Sequence, residues 1–201
     1  DTMNCCLFDI ASVLKGGFEM GNIWYNEPKS LDTAFDVMGD IVLSAASQQY
    51  GGFTVPSVDL ILEPYAEKSY QKYIDKYLNL GIGEERAKEE AEKDVHRDFE
   101  QGFQGWEYKF NTVASSRGDY PFITVTAGTG TGRFAKMATI TMLDVRRAGQ
   151  GKKECKKPVL FPKIVFLYDE NLHGPGKELE DVFEAGVRCS SKTMYPDWLS
   201  L

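Results

Sequence analysis

The sequence predicts an α/β fold with at least partly parallel strands. Segments whose apolar residues recur at helical spacing alternate with β-branched runs, and the clearest of these runs are residues 121–127 and 159–168. The 201 residues are 42% hydrophobic and 12% aromatic, which is enough for one sizeable core. No internal repeat, low-complexity tract or convincing linker divides them, so we expect a single region spanning residues 1–201.

The first part of the chain predicts a strand followed by a helix. Residues 3–10 form a short apolar run that is typical of a buried strand. From residue 31 to about residue 50, apolar residues return every three or four positions, and Ser30 or Asp32 is suited to cap the start of the helix. The adjacent glycines 51 and 52 are expected to end it.

Two long helices are predicted next. Residues 57–80 keep a recurring apolar face until glycines interrupt it, and residues 84–110 form a further helix. The first half of this second helix mixes acidic and basic side chains, which is typical of a solvated face with i,i+4 pairs.

The pattern then changes to that of strands separated by helices. Residues 121–127 are rich in β-branched side chains, and residues 133–147 predict a helix. A basic loop at residues 149–157 leads into a second strand at residues 159–168, in which a proline disturbs the hydrogen-bond ladder. A last short helix is predicted at residues 177–185.

Composition and charge exclude several classes of function. With 23 basic and 30 acidic residues the net charge is −7, so the broad positive surface that binds nucleic-acid polymers is not expected. No apolar run approaches the ~20 residues of a membrane-spanning helix, and the start of the sequence lacks the pattern of a signal peptide. We therefore expect a cytoplasmic protein without a membrane partner.

The cysteines and histidines do not form a metal-binding pattern. The four cysteines, at positions 5, 6, 155 and 189, lack the spacing of a disulfide scaffold or of a zinc site, and they fit a reducing compartment. The two histidines are far apart in the sequence and have no neighbouring ligand-type residues. No metal site is predicted in this chain.

Two short patterns could carry chemistry. Glycines 128, 130 and 132 stand between a predicted strand and a predicted helix, where backbone N–H groups can bind an anion. Their spacing completes neither a dinucleotide fingerprint nor a Walker loop, so a tight turn is the simpler interpretation. Cys5 and Cys6 must point to opposite faces of a strand, and no neighbouring His or Lys offers to activate a thiolate, although radical chemistry needs none.

A series of segments spread over the whole chain, in one order, resembles a known protein family. The segments are Met3-Asn4-Cys5-Cys6-Leu7 with Asp9, Gly21-Asn22, Pro28-Lys29-Ser30, Gln49-Tyr50-Gly51-Gly52, Trp106-Glu107-Tyr108 with Asn111-Thr112, Pro121-Phe122, Gly128-Thr129-Gly130-Thr131, Phe161-Pro162-Lys163, Cys189-Ser190-Ser191-Lys192 and Met194-Tyr195-Pro196-Asp197. The family that they resemble is the anaerobic, class III ribonucleoside-triphosphate reductase, a glycyl radical enzyme.

The resemblance implies that this chain is part of the ten-stranded α/β barrel of the glycyl radical enzyme and ribonucleotide reductase type. It implies the reduction of ribonucleoside triphosphates to deoxyribonucleoside triphosphates by a catalytic subunit of which this chain is the central fragment. The ATP-cone, the finger loop with the thiyl radical cysteine, the structural zinc site and the glycyl radical segment are then expected outside this chain. S-adenosylmethionine and an iron–sulfur cluster are expected in a separate radical-SAM activating enzyme.

The resemblance also assigns roles to two residues. Cys6 corresponds to the cysteine that lies opposite the thiyl radical, and it would deliver a hydrogen atom while the 2'-hydroxyl leaves. We expect Cys6 to face the barrel interior beside a nucleotide-sized cavity, with Cys5 packed behind it. Lys29, just before a helix, is the candidate contact for a phosphate of a deoxynucleoside triphosphate or ATP effector at a homodimer interface.

Two functions stay open on the sequence alone. The chain is either part of a catalytic reductase, or a nucleotide-binding and dimerisation module of a split reductase without catalysis of its own. Formate and thiol reductants both occur in enzymes of this type, and no residue of the chain distinguishes them. Because half of a barrel exposes strand edges and apolar surface, we expect the isolated segment to be marginally stable or to self-associate.

Overall fold

The computed structural model describes residues 5–49, 51–112, 120 and 122–201. Its strands are β1 (Cys6–Leu7), β2 (Phe18–Met20), β3 (Ile23–Tyr25), β4 (Phe53–Val55), β5 (Ile123–Ala127), β6 (Gln150–Lys152), β7 (Cys155–Lys157), β8 (Lys163–Tyr168) and β9 (Asp197–Ser200). Its helices are α1 (Ile10–Leu14), α2 (Leu31–Ala46), α3 (Val58–Asn79), α4 (Glu84–Thr112), α5 (Arg133–Ala148), α6 (Glu170–His173) and α7 (Glu180–Thr193).

Five of the strands form one parallel sheet in the order β1-β4-β5-β8-β9. Every pair of neighbours is joined by a crossover that contains at least one helix, as parallel pairing requires. The remaining strands form two antiparallel hairpins, β2-β3 and β6-β7. The fold is therefore α/β with a parallel central sheet, as the sequence predicts.

In the described residues, one face of the sheet packs against helices and the other does not. On β5, Ile123, Val125 and Ala127 are buried, whereas Thr124 and Thr126 between them are only half-buried. A parallel sheet that is covered on both faces reads as a continuous apolar run, so this alternation indicates that the described part of the chain covers one face. We call the other side the open face; the register places on it Leu7, Thr54, Thr124, Thr126, Lys163, Val165, Leu167, Asp197 and Leu199.

The helical layer has an aromatic cluster at the contact between α2 and α4. The Phe35 ring centroid lies 4.9 Å from that of Phe103 and 5.0 Å from that of Trp106. The indole N–H of Trp106 donates a hydrogen bond to the Phe35 carbonyl at 2.9 Å, so this buried polar group is satisfied. The cluster fixes α4 against α2 on the covered side of the sheet.

The long elements agree with the sequence predictions, because their apolar periodicity is strong. Helices α3, α4 and α5 and strands β5 and β8 lie where the sequence places them, with ends shifted by a few residues. The charged first half of α4 is a solvated face, with Lys88 Nζ 2.6 Å from Glu84 Oε1. The predicted Ser30 lies at the N-cap of α2, but its side chain caps no backbone N–H and instead donates to Asp32 and Thr33 side chains.

Several shorter elements differ from the predictions. The expected strand at residues 3–10 is reduced to Cys6–Leu7, because Asp9 caps a helix that begins at Ile10. Helix α2 ends at Ala46, before the two glycines, and α7 extends to Thr193. The predicted features at Met3, Asn4, Tyr50 and Pro121 lie outside the described residues.

The sheet matches in strand number and direction one half of the expected ten-stranded barrel. A barrel of this kind needs helices on its outer side and a face free of helices on its inner side, and the open face fits that requirement. Among the described residues, no helix is both long and apolar enough to span a membrane.

Candidate functional site

The vicinal cysteines lie at one edge of the sheet, and their side chains take opposite directions. Cys6 pairs with Phe53 in the register, and Phe53 is fully buried on the covered side. Because side chains alternate along a strand, Cys5 and Leu7 project to the open side. Cys5 is exposed, and its Sγ accepts a hydrogen bond from the Gly52 N–H at 3.3 Å.

The predicted orientation of the two thiols is therefore wrong. Cys6 was expected to face the barrel interior and Cys5 to pack behind it, whereas the register turns Cys6 toward the helices and Cys5 toward the open face. The physical reason is the period of two along a strand, which makes a shift of one residue exchange the two faces. Neither cysteine is in a disulfide.

Cys6 does line a cavity, but the cavity lies on the helical side. It has a volume of about 470 Å³ and is bounded mainly by apolar side chains, among them Phe8, Phe18, Ile41 and Phe53. Burial raises the pKa of the Cys6 thiol, and the neighbouring Cys5 adds to the effect. This shift favours the neutral form of the thiol, and no Lys or Arg is present among the described residues that line the cavity.

The open face carries hydroxyl groups on β4 and β5 and a charged pair on β8 and β9, the strands farthest from Cys5. Thr54 and Thr124 are neighbours across β4 and β5, and Thr124 is paired with Lys163 on β8. The Lys163 Nζ lies 3.3 Å from Asp197 Oδ2 on β9. A thiol, hydroxyl groups and an ion pair on one unfilled surface are groups that can contact a polar ligand such as a nucleotide.

The glycine loop at the carboxyl end of β5 is occupied by a side chain of the protein itself. Asp59, with no exposed surface, accepts hydrogen bonds from the N–H groups of Gly128 at 3.1 Å and Gly130 at 3.0 Å through Oδ2. A Cβ at Gly130 would lie 2.4 Å from that of Ala135, so only glycine lets the loop approach α5 this closely. The loop is thus a tight turn that binds an internal carboxylate, which agrees with the simpler interpretation of its spacing.

Burial dominates the electrostatics of Asp59. Desolvation raises the pKa of its carboxyl group, although the hydrogen bonds from Gly128 and Gly130 act in the opposite direction. Its Oδ1 is buried without a hydrogen-bond partner among the described residues. The sequence signal for this residue is an acid inside the apolar run at residues 58–62, which sequence reasoning did not single out.

His173 holds the same loop from the other side. The Asp169 N–H donates to His173 Nδ1 at 3.0 Å, and His173 Nε2 lies 2.7 Å from the Gly128 carbonyl oxygen. Both ring nitrogens of this buried side chain are therefore in hydrogen-bond contact with backbone groups, Nδ1 with Asp169 and Nε2 with Gly128. His173 is a buried structural residue here, fixing β8 and α6 to the glycine loop.

Lys29 is exposed in the segment before α2. That segment is tied to α3, because Lys68 Nζ lies 3.0 Å from Glu27 Oε1 and the Leu31 N–H donates to Ser69 Oγ at 2.8 Å. In the described part of the chain no hydrogen bond or ion pair involves Lys29, and Lys29 does not line the cavity beside Cys6. The structure leaves its amine available without bringing it to the thiols.

A buried ion pair explains another of the segments that carry the resemblance. Glu107 on α4 accepts from Arg146 Nε at 2.7 Å and from Gln150 Nε2 at 2.6 Å, and Arg146 Nη2 donates to the Pro162 carbonyl at 2.7 Å. Asn111 bonds both backbone groups of Phe161. These residues join α4, α5 and the start of β8, so their role is to position the sheet.

No metal site is formed in the residues that the structure describes, where no group of three or more His, Cys, Asp and Glu side chains could hold an ion. Cys155 is exposed on the β6-β7 hairpin, and Cys189 is buried in α7. Burial raises the pKa of the Cys189 thiol, which lies 3.5 Å from the Thr193 hydroxyl oxygen. Cys189 is therefore an unreactive core thiol.

Comparison with known proteins gives one consistent family. The family model described as anaerobic ribonucleoside-triphosphate reductase matches residues 1–201. The chain is similar to the protein of that name from Enterobacteria phage T4, with 37% identity over 199 residues, which is 98% of this chain and 32% of the relative. Its similarity to the protein of that name from Escherichia coli (strain K12) is 35% over 198 residues, 98% of this chain and 27% of the relative. The chain thus spans 27–32% of the length of the curated relatives it matches.

Solved structures share the fold. The anaerobic ribonucleotide reductase from Thermotoga maritima, in complex with dATP and CTP, superposes on all of this chain with a TM-score of 0.63 at 16% identity, over 33% of its own length. A further structure described as anaerobic ribonucleotide reductase gives a TM-score of 0.66 at 15% identity. The match covers all of this chain and 31% of the length of that structure's chain. At these identities the likeness concerns the fold alone.

Proposed function

This chain belongs to the anaerobic ribonucleoside-triphosphate reductase family, and from that premise we propose that it supplies one half of the nucleotide-binding barrel of a catalytic subunit. The reaction is the reduction of ribonucleoside triphosphates to deoxyribonucleoside triphosphates by radical chemistry, in an anaerobic cytoplasm. The observation that carries the proposal is a free thiol beside the open face of a five-stranded parallel sheet whose other face is covered by helices.

The thiol that we propose for hydrogen-atom delivery is that of Cys5, in place of Cys6. Cys5 projects from the edge of the sheet to the open side, where a ligand inside a closed barrel would lie. Its Sγ is held by the Gly52 N–H, which gives the thiol a defined position. Cys6 has the packing of a residue that supports β1 from behind, with an apolar cavity at its side.

The glycyl radical expected elsewhere in the protein would supply the thiyl radical that removes the 3'-hydrogen. The residues of this chain would bind the nucleotide substrate and orient it. Thr54 and Thr124 present hydroxyl groups to the same open side, and the Lys163–Asp197 pair adds a charged group further along the sheet. The buried Glu107–Arg146 pair keeps the start of β8, and hence Lys163, in place.

Partners and effectors follow from the same premise. We propose a radical-SAM activating enzyme, a homodimer and control by deoxynucleoside triphosphates or ATP. The neighbouring Thermotoga structure with dATP in its specificity site supports effector binding in this family. Lys29 stays the predicted phosphate contact, supported by its exposure and by the absence of a competing ion pair in the described residues.

The test uses the intact protein that contains this segment, purified anaerobically with its activating enzyme, S-adenosylmethionine, a reductant and CTP. Formation of dCTP is expected, and Cys5→Ser should abolish it while CTP binding persists. Cys6→Ser is the matched control, since it changes the adjacent thiol on the covered side, and it should retain turnover.

Three outcomes would change this assignment. Loss of turnover in Cys6→Ser alone would return the role to Cys6, where the sequence placed it. Turnover in both variants would remove the vicinal cysteines from the reaction. Binding of CTP and dATP without any dCTP in the unmodified protein would favour the nucleotide-binding module without catalysis.

A further inference from the structure

The positive charge of this acidic chain is concentrated around the β6-β7 hairpin. Residues 146–163 carry seven basic side chains and one acidic side chain, a net charge of +6, whereas the rest of the chain carries −13. Lys152, Lys153, Lys156 and Lys157 on the hairpin are all exposed. Like charges repel, so this concentration lowers stability unless an anion compensates it.

Part of this cluster surrounds a small pocket. The hairpin, the last turn of α5 and the end of α7 enclose a volume of about 90 Å³, lined by Arg146, Arg147, Lys156, Lys157, Lys192 and Thr193 among others. A volume of this size has room for several water molecules or for one tetrahedral oxyanion. Three separate elements thus bring cations to one concave site.

The cations of the pocket are incompletely neutralised. Arg147 Nη2 lies 3.2 Å from Asp144 Oδ1, and Arg146 is paired with Glu107. Lys156, Lys157 and Lys192 form no ion pair with the described residues. Arg146 Nη1 is buried without a hydrogen-bond partner, and the Arg146 Cζ lies 5.2 Å from the centroid of the Tyr195 ring.

Stabilisation of helix ends accounts for only part of this arrangement. Arg146, Arg147 and Lys192 stand in the last turns of α5 and α7, where cations interact favourably with the negative end of the helix dipole. Lys156 and Lys157 belong to neither helix, and the hairpin is anchored there because Gln150 bonds to Glu107 and Gln104. The lysines are therefore held over the pocket by a fixed base.

We propose that this pocket binds a phosphate group, of free phosphate or of a small phosphorylated metabolite. Its size admits one tetrahedral anion, and lysine and arginine side chains are the groups that bind phosphate. A long polyanion is disfavoured because the rest of the chain carries a net charge of −13, which repels it. The site is distinct from the open face and from Lys29, and it does not depend on the proposed function.

The test measures protection of individual lysines from an amine-reactive label in the intact protein, read out by mass spectrometry. Inorganic phosphate at about ten times its apparent Kd should slow labelling of Lys156, Lys157 and Lys192 about tenfold, by mass action. Sodium chloride at equal ionic strength should not slow the labelling of these lysines, because it only screens charge. Lys152 and Lys153, at the outer end of the same hairpin, are the internal control and should not be protected. A phosphorylated sugar in place of phosphate tests whether the source is a metabolite.

Two double variants distinguish binding of phosphate in the pocket from a general attraction of anions to the positive charge of the hairpin. Lys156→Gln with Lys157→Gln should abolish phosphate protection of Lys192, whereas Lys152→Gln with Lys153→Gln, which removes the same charge, should leave it unchanged. Equal effects of the two pairs, no protection by phosphate, or protection only by a nucleic acid or an acidic polypeptide would overturn the proposal.

Discussion

Asp59 lies beneath the glycine loop with no exposed surface, and its Oδ2 accepts the two N–H groups that would otherwise meet an external anion. The acceptor that decides the role of the loop is therefore a side chain 69 residues away from Gly128. The hydrogen bonds to Oδ2 are favourable, whereas the burial of Oδ1 without a hydrogen-bond partner among the described residues costs desolvation free energy.

The raised pKa of Asp59 predicts a specific pH dependence of stability. A carboxyl group whose pKa is higher in the folded than in the unfolded protein binds a proton more tightly when folded, so its contribution is full below about 3.8 and is lost as the pH rises through the folded pKa. We expect the unmodified protein to lose stability relative to Asp59→Asn as the pH rises over this range, because asparagine does not titrate.

Urea denaturation of both proteins at a series of pH values from 4 to about 7 measures this difference. Asp75→Asn is the control, since Asp75 is an exposed residue of the same helix, α3. A difference between the unmodified protein and Asp59→Asn that does not vary with pH would show that burial leaves the Asp59 carboxyl unperturbed.

At the scale of elements, the contact between α2 and α4 depends on a missing side chain. A Cβ at Gly102 of α4 would lie 2.2 Å from Phe35 Cδ2 of α2, whereas a Cβ at Gly105 would meet nothing within 4 Å. The two glycines belong to the same helix, but only Gly102 is in close contact with a neighbouring side chain.

This difference predicts opposite effects of the same substitution. Gly102→Ala should destabilise the protein, because overpacking costs about 1–3 kcal/mol and outweighs or offsets the helix propensity gain of about 1 kcal/mol. Gly105→Ala should keep that gain and stabilise. Denaturation midpoints of the two variants measure the effects, and a stabilising Gly102→Ala would mean that Phe35 moves without cost.

At the scale of the whole molecule, the open face and the strand edges decide how the segment behaves alone. Leu7 is 77% exposed and Leu199 is 49% exposed on opposite edge strands, β1 and β9. Unpaired edges and exposed apolar side chains are templates for association, and in a closed barrel other strands would cover them.

We therefore predict that residues 1–201 expressed by themselves associate and reduce no ribonucleotide. Sedimentation velocity should show species larger than the 22.6 kDa monomer, and the double variant Leu7→Lys, Leu199→Lys should reduce them. Anaerobic incubation with activating enzyme, S-adenosylmethionine, a reductant and CTP should give neither a glycyl radical doublet nor dCTP. A radical signal with repeated turnover would contradict the assignment of this segment to one half of a barrel.

The sequence by itself determined the long elements and the family. Helices such as α3 and α4 are predictable because their apolar periodicity repeats over five or more turns of a local pattern. Strand β5 is predictable for a similar reason, since five residues alternate between apolar and threonine side chains. The whole-chain resemblance was visible because its segments keep one order along the chain.

Only the tertiary structure decided the short strands and the faces. Strands β1, β4 and β9 have two to four residues, too few for a pattern, and they exist because a neighbouring strand supplies their hydrogen bonds. Cys5 and Cys6 are chemically identical, so which one faces the open side depends on the pairing of Cys6 with Phe53, 47 residues along the chain in sequence. The pairing of distant segments is set by the packing of the whole core, and a shift of one residue in it reverses every side chain of the strand.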